Sequence, residues 1–483
     1  MPKPSKLLLP VLLAALFASA PAAPAGASHG QVVYFEASNA LLHPSTRGKA
    51  FEQMRHLGVR ALRVELYWGR VAPDAASASR PSFNATDPAN YNWSEFDPIL
   101  AEAKRLGWQV LLTVTSPVPR WATSNLKAPY ITRPDSQDFR EFMTAVARHF
   151  GSEVTTYAIW SEPNHPAFLQ PQFNSNGSPA SPRIYRGLYQ AGYQGLQEAG
   201  VTHPRVLFGE TAPTGYDSVK SLLKREKAKA LLHDVAPLQF LREALCLNSH
   251  YRKVGGCSPL QMTGYAHHAY TIAVAPSYKT PGSDNVTIGV LSRLSNALNL
   301  AARAHAIPAG VPIYLTEFGV QSYPNKQLGL PVSVQAEYDA MAEQIAWNNG
   351  RVAAFSQYLL VDDPVGGAPG ASVNGGTTGF QTGLEYTNGK PKPLYYAWPV
   401  PLVVSKRHHG YSLWGLVRPA GKATTVTVLV RRKGSSRYRT LRTVHTNSAG
   451  YWTLSSGTAG TLWRVRWTSP EGVRYEGPPI HAH

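Results

Sequence analysis

A (β/α)8 barrel followed by a small antiparallel β-sandwich is the architecture this sequence predicts, and three observations carry it. Eight short β-branched or aromatic runs alternate with helical patterns from Gln31 to about residue 360. After Pro401 the pattern changes to alternating strands separated by turn clusters. The 483 residues, 43% apolar and 16% charged, supply one large core with room for a second domain and exclude disorder of the bulk. A doubly wound sheet would show the same alternation, and it is the count of eight that favours closure.

The first segment reads as an address. Lys3 and Lys6 precede an apolar run, 7–17, and small residues follow at 18–20 and 25–27, the three-part pattern of a secretory leader cleaved after Ala20 or Ala27. The run is too short to span a bilayer and Pro10 interrupts it, which disfavours the alternative, an uncleaved anchor. No other stretch reaches membrane-spanning length. The expected division is therefore leader 1–27, barrel 28–400 and basic sandwich 401–483, in a secreted, extracellular protein. In oxidising surroundings Cys246 and Cys257, the only cysteines, are expected to pair and contribute about 3 kcal/mol. The alternative is two buried thiols; a cysteine-based zinc site is excluded by number.

The eight strand runs are 32–37, 61–68, 110–115, 155–161, 205–210, 262–268, 313–317 and 353–360. Amphipathic stretches at 49–57, 96–106, 139–150, 185–199, 288–305 and 336–348 fall between them. Long links at 72–92, 166–182 and 211–259 are candidate walls of a cleft, because the loops after barrel strands build the active rim. In the sandwich, strands are expected at 424–431, 438–444, 451–454 and 462–467. Residues 401–483 hold 13 Lys or Arg against Glu471 and Glu476, so a net +11 of the chain's +18 is local.

The most informative pentapeptide is Trp160-Ser161-Glu162-Pro163-Asn164 at the end of the fourth run, where Pro163 stops the strand and Glu162 faces the mouth. A second carboxylate, Glu317, closes the seventh run in Leu315-Thr316-Glu317-Phe318-Gly319. Taken singly, each glutamate reads more readily as a salt-bridged strand end. Together, across one barrel mouth, they form the carboxylate pair that glycosidic cleavage requires: one gives a proton to the leaving oxygen, the other attacks or steadies the oxocarbenium-like centre.

Glutamates at the ends of strands four and seven, in Trp-x-Glu-Pro-Asn and Thr-Glu-Phe-Gly contexts, resemble clan A of the glycoside hydrolases, with family 39 the nearest match over about 32–360. The resemblance implies a retaining mechanism with Glu162 as acid/base and Glu317 as nucleophile. It also matches Arg63 to the second-strand arginine that holds the nucleophile ionised, and His268 and Tyr270 to a His-x-Tyr lining the site. A guanidinium beside Glu317 is expected to depress its pKa, while the acid keeps its proton in a less charged setting. One position departs from the pattern: Ser161 stands where the clan usually has an asparagine that reaches the sugar 2-hydroxyl, which puts substrate identity in question more than reaction type.

Aromatic residues near the strand ends, Tyr67, Trp68, Trp121, Tyr265, Tyr323 and Tyr358, suit a saccharide subsite, although core packing is the simpler reading of any one. Trp68 and Trp121 are preferred because each follows a strand end, and Asn164 is grouped with them as substrate-binding. Gln357 reads either as a hydroxyl ligand or as a satisfied barrel residue. His267 and His268 are adjacent on a strand and point to opposite faces, so they do not share a metal. Arg431-Arg432-Lys433 reads as a solvated edge, and 366–376 lacks the lysine of a phosphate loop.

The chemistry requires neither metal nor organic cofactor. Expected partners are a carbohydrate substrate and an anionic glycan or cell-envelope polymer held by the C-terminal domain, with no nucleic acid and no membrane span. Two rival readings are a non-catalytic carbohydrate or cell-wall binding protein on a degenerate barrel, and a transglycosidase.

Overall fold

Side chains alternate across each strand of a closed ring, so one set fills the middle and the other meets the helices outside. Tyr34, Ala61, Leu111, Ala158, Leu207, Ala266 and Ala354 form the inner set, whose small members fit the narrow interior. Phe35, Leu62, Leu112, Ile159, Phe208 and Phe355 belong to the outer core. The computed structural model describes residues 28, 30–325, 328–364 and 379–483. The expected leader and the glycine-rich stretch 366–376 lie outside the described residues.

The barrel strands are β1 (Val32–Glu36), β2 (Ala61–Tyr67), β3 (Gln109–Thr115), β4 (Thr156–Ile159), β5 (Val206–Thr211), β6 (Gly264–His268), β7 (Ile313–Glu317) and β8 (Val352–Tyr358). All pair in parallel, and β8 closes on β1 from Val32 against Ala354 to Glu36 against Tyr358. The link 211–259 is not simply a loop. It carries two helices, Leu223–Ala230 and Pro237–Ala244, and the Cys246–Cys257 disulfide. Among the described residues no helix is long and apolar enough to cross a membrane.

Seven further strands follow: β9 (Leu402–Arg407), β10 (Gly410–Gly415), β11 (Thr425–Arg431), β12 (Arg439–His445), β13 (Trp452–Ser456), β14 (Leu462–Thr468) and β15 (Arg474–Glu476). They make a three-stranded sheet, β13-β10-β9, and a four-stranded sheet, β12-β11-β14-β15. The sequence reading had no β9, β10 or β15. The β9–β10 hairpin turns at His408-His409, which carry no turn signal ahead of Gly410.

Position of the sandwich follows from which faces are apolar. Leu402, Val404 and Leu413 face the four-stranded sheet's Val426, Val428, Trp463 and Val465. The other side of the three-stranded sheet presents Val403 and Trp414 to Ala340 and Trp347 of the barrel helix Val332–Trp347. Arg418 forks onto Glu343 of that helix with two 2.8 Å bonds, both residues buried, and its guanidinium lies 3.9 Å above the Trp398 ring. Gly58, just before β2, sits against Pro419 so closely that a Cβ would fall 2.5 Å from it. The sandwich thus seats on the barrel's N-terminal pole, and the strand C-termini open at the other.

Candidate active site

Continuing the alternation upward from the inner layer brings Glu36 of β1, Arg63, Glu65 and Tyr67 of β2, Thr113 of β3, His268 of β6 and Tyr358 of β8 into the mouth. Arg63 stands at its centre, fully buried, and ties together four carboxyl groups. Its Nη1 donates to Glu317 Oε1 at 2.7 Å and also to Glu36. Its Nη2 donates to Glu210 at 2.7 Å and Glu65 at 3.2 Å, while Nε reaches the other Glu210 oxygen at 3.2 Å. Outer bonds fix the acids: Ser38 to Glu36 at 2.7 Å, Tyr67 to Glu65 at 2.7 Å and Thr113 to Glu210 at 3.1 Å.

Glu162 and Glu317 converge on a different group. His268 Nδ1 lies 2.9 Å from Glu162 Oε1 and 3.4 Å from Glu317 Oε2. One oxygen of each carboxyl and this nitrogen all fall within 4.8 Å of one another. Tyr270 donates its hydroxyl to Glu317 Oε2 at 3.0 Å. The same three groups form a set geometrically able to take a metal ion, but Arg63 already brings positive charge against Glu317 there.

Getting these side chains inward requires unusual backbone. Trp160, Glu162 and Glu210 have φ of +72°, +41° and +46°, a left-handed conformation costing of order 1–3 kcal/mol each. Gly209, at φ +114°, precedes Glu210 in a register shift of β5, and a Cβ there would meet the Ala266 carbonyl at 2.6 Å. Glycine is therefore what allows the bulge that turns Glu210 toward Arg63.

Burial governs the protonation states. It pushes the Glu36 carboxyl up to about 7, against the Arg63 charge and with help from Glu65. Burial likewise raises Glu162. Glu317 also moves upward, through burial opposed by Arg63 and reinforced by Glu36, Glu65 and Glu162. Arg63 thus pulls the Glu317 pKa down as expected, but one guanidinium is divided among four carboxyl groups, and burial with the neighbouring acids outweighs it. Burial takes His268 down to about 3, so its imidazole is neutral.

Three of the expected substrate groups are elsewhere. A one-turn helix, Trp68–Val71, begins where β2 stops and swings Trp68 into the core, stacked on Phe142 at 5.2 Å and completely buried. Asn164 is buried too and spends its amide on Ala212 and Val235 main-chain groups, cross-tying loops. Gln357 lies on the outward side of β8, where its Nε2 donates to the Thr382 carbonyl at 3.3 Å and its buried Oε1 has no partner among the described residues. Trp121 is half-buried, edge-on to Trp68 and under Arg80. Tyr265 is wholly buried. Ser161 is buried with its hydroxyl 3.4 Å from Arg63 Nη2, beneath the mouth. His267 bonds Thr211 and Val286 on the outer side, away from His268.

Sequence reading missed Glu36, Glu65 and Glu210. Parity could have found Glu65, since it lies two residues from Arg63 on one strand and shares its face. A cavity of about 530 Å³ is lined by residues of the links after β5 and β6, including Tyr216, His233, Asp234 and Asn285. His165 Nε2 stands 3.7 Å from Asp234 Oδ1, linking that wall to the Glu162 segment.

No protein-family model matches this sequence, and no curated protein does either. Among solved structures the fold is similar to a glucosidase from Croceicoccus marinus, with a TM-score of 0.50 and 10% identity over 92% of this chain and 96% of that one. A β-glucosidase from Pyrococcus furiosus gives 0.45 and 14% over 72% and 82%. A calcium-binding mutant of Bacteroides uniformis β-glucuronidase 2 gives 0.43 and 8% over 94% of this chain and 45% of that chain, so this chain spans less than half its length. At these identities the likeness is one of fold.

Proposed function

We propose that this chain is an exported glycoside hydrolase of clan A type that cleaves an O-glycosidic bond with retention of configuration. The observation that carries the reading is the meeting of Glu162 and Glu317 on one imidazole nitrogen, with carboxyl oxygens within 4.8 Å. Separations of about 5–5.5 Å suit a direct nucleophile, whereas inverting pairs stand about 6.5–9.5 Å apart to admit a water. The resemblance to family 39 rests on the two glutamate motifs.

In this reading Glu317 attacks the anomeric carbon while Glu162 gives its proton to the departing oxygen, leaving a glycosyl ester and an ionised Glu162. Glu162 then takes a proton from water as that water attacks the same carbon and releases Glu317. Burial raises both carboxyls, and it is the donors that separate them: Arg63 Nη1 and the Tyr270 hydroxyl bond Glu317, which favours the ionised form there and leaves the proton to Glu162. Arg63 and Tyr270 both donate to Glu317 and aim its oxygens. The Arg63 donors are taken up by Glu36, Glu65, Glu210 and Glu317, which leaves no free guanidinium for an anionic sugar in this mouth. Because Glu162 protonates the leaving group, that group lies on its side, toward the segment of His165 and its neighbour Asp234. The basic sandwich takes the anionic glycan or envelope polymer as its partner.

Kinetics of two variants on a panel of aryl glycosides test the assignment. Glu317→Ala should lose on the order of 10⁴-fold or more on every substrate. Glu162→Ala should lose about 10²- to 10⁴-fold on poor leaving groups, form the glycosyl-enzyme readily from activated ones, and be rescued by azide as a glycosyl azide of unchanged configuration. Equal loss in both variants without azide rescue would remove the acid/base role of Glu162.

A further inference from the structure

We propose that the outer face of the four-stranded sheet is a docking surface for an acidic polysaccharide, and that this polymer is distinct from what the barrel cleaves. The proposal rests on the reading of the chain as an exported carbohydrate-active protein. Register identifies the face: Thr427 pairs with Arg466, Leu429 with Arg464, Arg431 with Leu462, Arg466 with Glu476 and Thr468 with Arg474, and directly paired residues share a side. The opposite side carries Val426, Val428, Trp463, Val465 and Trp467 into the sandwich core.

Four arginines, Arg431, Arg464, Arg466 and Arg474, therefore stand on one face of these strands against Glu476. Glu476 accepts from Arg464 and Arg466 at 2.9 Å each, which braces the two forks without cancelling the face. Tyr438 braces the other end, with the Arg464 guanidinium 4.8 Å and that of Arg431 6.0 Å from its ring centre. Alternate residues on a strand stand about 7 Å apart and neighbouring strands about 4.8 Å apart, so the guanidinium groups form a grid that an extended chain with a carboxylate or sulfate on each repeat can follow.

Surroundings decide among polyanions. Leu429 and Leu462 on this side are buried, so no apolar surface is offered to a lipid layer. Tyr438 alone cannot provide the stacked aromatic platforms on which single-stranded nucleic acids lie. The three-stranded sheet separates this face from the barrel helix Val332–Trp347, and the mouth opens at the other pole. A chain bound here does not reach Glu162, and the mouth's buried cation, Arg63, is already taken up by four carboxyl groups. Charge thus sorts two carbohydrates between two ends of one molecule.

The test uses the full chain with polygalacturonate as the acidic probe, dextran as the neutral one and duplex DNA as a second polyanion, titrated with salt. Arg431→Gln, Arg464→Gln and Arg466→Gln together should weaken polygalacturonate binding by about 10- to 100-fold, and wild-type binding should fade as salt shortens screening below about 8 Å. Removing the same charge from the barrel surface, as Arg70→Gln, Lys104→Gln and Arg105→Gln, should leave it within about twofold. Thermal unfolding midpoints verify that both triples are folded. Equal binding by wild type and the sheet triple, tighter binding of DNA than of polygalacturonate, or shortening of the polygalacturonate chain would each overturn the proposal. Because the readout needs no turnover, a protein that binds yet hydrolyses nothing would sink the proposed activity and leave this surface standing.

Discussion

The barrel mouth and the outer sheet of the sandwich hold charge in opposite ways. At the mouth four carboxyl groups surround one fully buried guanidinium, so each proton depends on its neighbours. On the sheet, Arg466 keeps 55% of its side chain in solvent and Glu476 38%, and each charge answers mainly to salt. The formal +18 of the chain, +11 of it in residues 401–483, gives no sign of the first region. An acidic site is hidden inside a basic protein because its charges pack inward, a lesson that a net count cannot convey.

The comparison breaks most visibly at its two arginines. Arg63→Met strands Glu36, Glu65, Glu210 and Glu317 in the mouth without their cation, and should cost about 3–5 kcal/mol at neutral pH. Arg466→Met should change stability by no more than about 0.5 kcal/mol. Denaturant unfolding of both variants at pH 7 measures the difference, and similar losses would contradict the buried network.

A subtler contrast lies in pH. The Glu36 carboxyl titrates near 7 in the folded protein and near 4.5 when exposed, so between those values the folded form holds a proton that the unfolded chain has released. Stability should therefore fall as pH rises from about 4.5 to about 7. Glu162 and Glu317, also raised, add to the same slope. Glu476 has the opposite sign: partial burial is outweighed by Arg466 and Arg464, which hold it below its usual range, so its contribution is lost only as pH drops. Unfolding midpoints across pH 4.5–7.5 should decline less steeply in Glu36→Gln than in wild type, while Glu476→Gln should keep the wild-type slope there.

Much of this was legible in the residues. The strand runs lie within a residue or two of β1–β8, because β-branched and aromatic stretches between amphipathic ones leave little choice of element. Glu162 and Glu317 could be singled out since Pro163 and Gly319 punctuate the chain beside them. Glu36 and Glu65 lack such punctuation, and although Gly209 stands beside Glu210, that it marks a bulge turning Glu210 inward is a three-dimensional fact. Trp68 was misread for a related reason. The chain turns helical at that residue, and one helical turn sends the ring toward Phe142 instead of the mouth.

The central claim is that Glu162 and Glu317 act as a retaining pair, and the configuration of the first-formed product tests it most directly. Proton NMR of the reaction, begun with whichever aryl glycoside of the panel the purified protein turns over and read before mutarotation, distinguishes the anomers. The account predicts that the newly released sugar has the configuration of the substrate. Initial appearance of the opposite anomer would contradict it, as would a fully folded protein that turns over no member of the panel.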